Sequence, residues 1–113
     1  MKLYHITPVE NLESILKNGL IGDEYNNIYL FREEKIRINN ITNNVRDCIA
    51  SGQLGLDEYV LLHIHKRGIK SPILHDMVSE ITSPFQYYIE QSLIDPKYIS
   101  FKGIYKSKFK FWF

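Results

Sequence analysis

The segment from Leu3 to Leu20 constrains this chain more than any other, because it writes a strand, a helix start, a helix and a stop in immediate succession. Leu3 to Ile6 reads as a short strand. Thr7-Pro8-Val9-Glu10 then has the form of a capping box, with Thr7 as N-cap, Pro8 at the first helical position and Glu10 reaching back from the third. Leu12, Ile15 and Leu16 recur at helical spacing, and Gly19 stands where a left-handed residue closes a helix, so the pattern predicts a helix from Pro8 to Asn18.

The rest of the chain adds mostly strands. Ile28 to Phe31 is a brief apolar run with strand propensity, and the charged stretch Arg32 to Arg37 after it reads as a solvated loop or helix face. Thr42 to Ser51 predicts a second helix with Val45, Cys48 and Ile49 on its buried side and Gly52 near its end. Tyr59 to His65 is a near-continuous strand that Gly68 breaks. Phe85 to Glu90, Tyr98 to Tyr105 and Ser107 to Phe113 follow as strands, with turn chemistry at Ser83-Pro84, Asp95-Pro96 and Gly103. Helices early and strands late predict an α+β fold on a mainly antiparallel sheet with two or three helices, rather than a repeating βαβ wind. A length of 113 residues suits one domain over 1–113, and 44% hydrophobic with 24% charged residues excludes a disordered chain.

Charge and cysteine content exclude further classes. A formal net charge of +1 creates no global field toward nucleic acid or an acidic membrane. The single cysteine, Cys48, cannot close an internal disulfide, which predicts a reducing compartment such as the cytoplasm. No apolar run is long enough for a membrane span, and the first residues carry no signal-peptide core.

Leu3-Tyr4-His5-Ile6-Thr7-Pro8, followed by Asn11-Leu12, Ile15-Leu16 and Gly19-Leu20, resembles the opening of ADP-ribosyltransferase-like domains. That group includes DarT-type DNA ADP-ribosyltransferases and RNA 2′-phosphotransferases. The shared pattern is a histidine on the first strand, a Ser or Thr just after it, and a short helix ending in Gly-Leu. Ile28-Tyr29-Leu30 is similar to the second motif of the group, and Tyr59 to Leu62 with Ile94-Asp95-Pro96-Lys97-Tyr98-Ile99 is similar to its later strands and turn. The resemblance implies a small ADP-ribosyltransferase-like fold with a split antiparallel sheet and NAD, or a related nucleotide, as substrate or ligand.

It also implies roles. His5 and Thr7 would meet the adenosine ribose and Tyr29 would stack on nicotinamide, with Tyr88 beside it. A carboxylate would hold the nicotinamide ribose and stabilise the positive charge that builds there as the glycosidic bond breaks. The position of that carboxylate falls near Gln86 or Tyr87, with Glu90 further along the same strand. Strand alternation puts Gln86, Tyr88 and Glu90 on one face and Phe85, Tyr87 and Ile89 on the other. The implied function is transfer of ADP-ribose to a protein or nucleic acid, as in a toxin or phage effector. Two alternatives stand beside it. One is a degenerate module that binds a nucleotide without turnover or blocks a defence protein; the other is an RNA 2′-phosphotransferase drawing on Arg32, Arg37 or Arg46.

Other residues have plainer explanations. His63 and His65 share a strand face and His75-Asp76 lies downstream, but no further ligand fixes a metal geometry. Lys106, Lys108 and Lys110 alternate with Phe109, Phe111 and Phe113; they read as an edge strand facing water, as a basic aromatic track for nucleic acid, or as a surface for a homodimer. Cys48 reads as packing.

Overall fold

The computed structural model describes residues 1–77 and 79–109 and shows an α+β fold built on a six-stranded antiparallel sheet. Across that sheet the strands run β10 (Ile99–Lys106), β6 (Glu58–Ile64), β1 (Leu3–Thr7), β3 (Asn27–Phe31), β8 (Gln86–Glu90) and β7 (Leu74–His75). Every pairing is antiparallel. No helix among the described residues is long and apolar enough to cross a membrane.

Period-two alternation along the central strands builds two cores, one on each face. Leu30, Val60, Leu62, Ile64, Tyr87 and Ile89 pack beneath α1 (Leu12–Asn18), which contributes Ile15. The small ribbon of β2 (Leu20–Ile21) and β9 (Leu93–Ile94) adds Leu20 and Ile94 to the same core. On the other face Ile6, Phe31, Tyr59 and Leu61 pack against Val45, Ile49 and Ala50. Those three belong to α2 (Val45–Asp47) and the wider π winding that continues it over Cys48–Gln53.

Several expectations are corrected. Thr7 is the last residue of β1 and does not cap a helix. Pro8 stays extended at ψ 150°, so the chain turns one residue later, through a 3-10 turn at Val9–Asn11 that runs into α1, and no side chain caps either start. The Thr7 hydroxyl instead accepts from Asn11 Nδ2 at 3.2 Å. Leu16 is exposed, leaving Ile15 and the half-buried Leu12 as the buried stripe. The charged stretch is not simply a solvated loop or helix: Lys35–Ile38 is β4, paired with β5 (Ile41–Asn44). The second helix therefore begins at Val45, not Thr42, although Val45, Cys48 and Ile49 are buried as predicted. Gly103 is not a turn but sits at a bulge within β10. Ser107–Phe109 is not a strand, and the remainder of that predicted element lies outside the described residues. The turn at Asp95-Pro96 forms as read: the Asp95 carboxylate accepts from Lys97 N at 3.0 Å and hands the chain into β10.

Candidate functional site

The sheet forks between β1 and β3. These neighbours share one register pair, Tyr4 opposite Phe31. Beyond it β1 stays zipped to β6 as far as Thr7, and β3 stays zipped to β8 as far as Asn27, so each strand keeps its outer partner while the two leave each other. A fork of this kind strands backbone groups that a closed ladder would pair, and these turn to side chains or water for partners.

His5 supplies one. Its Nδ1 lies 2.7 Å from the Tyr29 carbonyl oxygen. A carbonyl can only accept, so Nδ1 carries the hydrogen and the neutral ring keeps its lone pair on Nε2. Burial favours the neutral form and pushes the His5 pKa below its ordinary value, outweighing the opposite pull of the hydrogen bond to the Tyr29 carbonyl, which favours the charged form. Nε2 has no protein partner among the described residues. The apex of the fork thus presents one hydrogen-bond acceptor, held in one orientation.

Depression of this pKa has a consequence for stability. The unfolded chain binds a proton on His5 near pH 6.5, whereas the folded chain resists it, so the stabilising contribution is complete above pH 6.5 and is lost as the pH falls below it. His63 is shifted in the same direction by burial and by the neighbouring charges of His65, Lys2 and Lys102. Urea unfolding at pH 7.5 and 5.5 will show a loss of stability on acidification that shrinks in His5→Gln; an unchanged loss would contradict the neutral, part-buried imidazole.

Two cavities meet at the fork, one on each face of the sheet, and His5 and Tyr29 border both. The cavity on the α1 side, about 340 Å³, is lined with short polar side chains including Thr7, Asn11, Ser14, Asp23 and Asn27. Asp23 is fully engaged there. Its Oδ1 accepts from the backbone N–H groups of Asn27 and Tyr25 and its Oδ2 from the Tyr29 hydroxyl at 2.9 Å, and the Asn27 bond in particular holds its pKa below the usual carboxylate range. The same contact fixes the Tyr29 ring at the rim, 6.4 Å from that of Tyr88 across the β3–β8 pair.

The cavity on the π side, about 520 Å³, is walled mainly by apolar groups such as Ile6, Leu30, Phe31 and Ile49. Gln86 lies in its wall, buried and already committed. Its amide exchanges two hydrogen bonds of 2.9 Å with the Gln53 amide and accepts a short one from the Thr82 hydroxyl. The π winding sets this up by delivering Gln53 to the sheet. Asp76 is the carboxylate of this cavity. Two-residue β7 brings it there, and its backbone N–H donates to the Gln86 carbonyl at 3.0 Å.

His5, Thr7 and Tyr29 therefore come together around one cavity, Gln86 joins His5 and Tyr29 around the other, and Tyr88 flanks Tyr29. Glu90 does not join them. It is exposed at the far end of β8, opposite Asn27, and borders neither cavity. Asp23 and Gln53 are not among the residues the sequence singles out, Asn11 enters there only as part of the motif after β1, and Asp76 only as a possible metal ligand beside His75. Asp23 carries a signal, since an aspartate a few residues before Asn26-Asn27 fits a side-chain-capped turn; nothing local to Asp76 places it beside Gln86.

Among the described residues neither lining includes a lysine or arginine. Arg32 stacks 4.6 Å over Phe85, Arg46 pairs with Glu33 at 2.7 Å, and Arg37 donates to the Asn40 carbonyl, so the three arginines expected of a phosphotransferase are engaged elsewhere. Among the described residues no group of three or more His, Cys, Asp and Glu could hold a metal. Burial and the neighbouring Asp47 charge push the Cys48 thiol up to about 11, so it stays protonated at neutral pH. No family model, curated protein or solved structure matches this chain.

Proposed function

We propose that this chain is an ADP-ribosyltransferase-like protein whose forked sheet binds NAD or a closely related nucleotide. The observation that carries this reading is the fork itself, with a neutral histidine at its apex and a cavity on each side. Hydroxyl and amide groups on the α1 side suit a ribose, which offers several donors and acceptors at close range. Apolar walls on the π side suit a planar ring. His5 Nε2 accepts from a sugar hydroxyl, and Tyr29, fixed by Asp23, closes over the ring. The diphosphate finds no cation among the described residues of either lining and stays toward water at the mouth.

Turnover would require a carboxylate near the ribose while the nicotinamide bond breaks, with an acceptor on a macromolecule taking the ADP-ribose. A second reading, in which the domain holds the nucleotide without cleaving it, is favoured by the side chain at the expected carboxylate position. Gln86 carries no charge there, and its amide is tied to Gln53 and Thr82.

Calorimetric titration with NAD, run beside nicotinamide release from labelled NAD, tests both readings. Binding that weakens at least tenfold in His5→Ala is expected, a loss comparable to removing one well-placed hydrogen bond in a buried site. Release abolished by the same substitution identifies an NAD-consuming enzyme, and binding without release identifies the holding module. Absence of binding by the wild-type chain overturns the NAD proposal.

A further inference from the structure

Among the described residues Asp76 is the one carboxylate on the π-side cavity, and it differs from Asp23 in a way that bears on the ligand. Asp23 receives three hydrogen bonds, whereas the Asp76 carboxylate receives none among the described residues. It is half-buried, and burial alone pushes its pKa up, as expected of a carboxylate short of counter-charge. The surrounding wall supplies hydrocarbon, the Phe31 ring and the neutral amides of Gln53 and Gln86, with no lysine or arginine among the described residues. A carboxylate placed against a mainly apolar wall gains most from a ligand that brings a delocalised positive charge and little hydration to lose. An aromatic wall favours the same ligand.

We infer that Asp76 makes the π-side cavity selective for a planar aromatic cation, the pyridinium ring of an oxidised nicotinamide nucleotide, over the neutral dihydropyridine ring of its reduced form. This inference rests on the NAD reading above and names the feature of the nucleotide that the cavity recognises. The two rings have nearly the same outline, so shape separates them poorly; the charge on the ring nitrogen separates them well. Gln86 supports the selection without supplying charge, since its engaged amide keeps that part of the wall neutral and leaves Asp76 as the charged group there.

The test is calorimetric titration of wild type, Asp76→Asn and Asp76→Glu with NAD⁺ and NADH, and with 1-methylnicotinamide, a bare pyridinium cation, against neutral nicotinamide. Thermal unfolding of each variant first establishes that it folds. Wild type is expected to bind NAD⁺ on the order of tenfold tighter than NADH. Asp76→Asn is expected to bring the two near parity, and Asp76→Glu to keep most of the preference. Equal affinities in wild type, or a preference that survives in Asp76→Asn, overturn the inference while leaving NAD binding intact. Failure of wild type to bind either dinucleotide, with Asp76-dependent binding of the bare cation, overturns the NAD reading and keeps the cavity's selectivity. If none of the four ligands binds, both fall.

Discussion

Replacing Gly19 with alanine will destabilise the fold by about 3 kcal/mol or more. Two costs add at this residue. Its backbone sits at φ +94° and ψ 176°, a region that residues with a Cβ occupy at a cost of roughly 1–3 kcal/mol. A Cβ there would also stand 2.3 Å from the Ile94 carbonyl oxygen and 2.9 Å from Leu93 Cδ1, and forcing atoms into packed space typically costs about 1–3 kcal/mol more. Relief is blocked because β9 is pinned by its pairing with β2, and Ile94 is fully buried in the α1-side core. Gly19 also borders the α1-side cavity, so any shift that accommodates the methyl group deforms that cavity's wall. Gly52 provides the comparison. It lies in the π winding with open space where a Cβ would go, and Gly52→Ala is expected to be neutral or stabilising by up to about 1 kcal/mol. Urea unfolding of the two variants measures both, and a Gly19→Ala variant within 1 kcal/mol of wild type would contradict the close approach of α1 and β9.

Gln86→Glu is expected to cost about 2–4 kcal/mol at pH 7, and to cost less in acid. The native amide both donates to and accepts from Gln53. An ionised carboxyl cannot donate, so the Gln53 carbonyl oxygen would face a second oxygen in a buried place. Burial and this mismatch favour the protonated acid, raising its pKa in the folded chain above the roughly 4.3 of an unfolded glutamate. The folded state then binds more protons than the unfolded state, and stability falls as the pH rises from about 4 through the folded pKa. Unfolding of Gln86→Glu relative to wild type at pH 5 and 8 is expected to show the larger deficit at pH 8. Equal deficits would mean that the new carboxyl reaches solvent or a partner. The variant also bears on turnover: nicotinamide release gained by Gln86→Glu, where wild type only binds, would identify the native site as one that has lost its carboxylate.

The central strands were legible because burial on two faces imposes period two on one side chain at a time. Leu3 to Ile6, Ile28 to Phe31, Tyr59 to His65 and Phe85 to Glu90 each became a strand within a residue or two of the expected ends. The stretch from Arg32 to Gln53 was read poorly for an equally physical reason. Ile36, Ile38 and Ile41 alternate around Asn39-Asn40, both at positive φ, which is the signature of a two-residue hairpin turn, but charged and amide residues between them masked the alternation. The helix pattern of Val45, Cys48 and Ile49 then drew the preceding strand into the helix. At the site, His5, Thr7 and Tyr29 were legible because local pattern places them on β1 and β3. The places of Asp76 and Gln53 in the π-side cavity are not legible, since they depend on a two-residue edge strand and a π winding, neither long enough to leave a period in the sequence.

Central to the account is that a nicotinamide nucleotide seats at the fork, on the free nitrogen of His5. Long-range proton–nitrogen NMR of the imidazole rings, recorded with and without NAD, reads this directly. Free protein is expected to show His5 as the neutral Nδ1–H tautomer, in keeping with its bond to the Tyr29 carbonyl. Addition of NAD is expected to shift the His5 Nε2 resonance as it accepts a hydrogen bond, while His63 and His65, on β6 and just beyond it, stay in place. An unmoved His5 with saturating NAD, or shifts confined to His63 and His65, would contradict it.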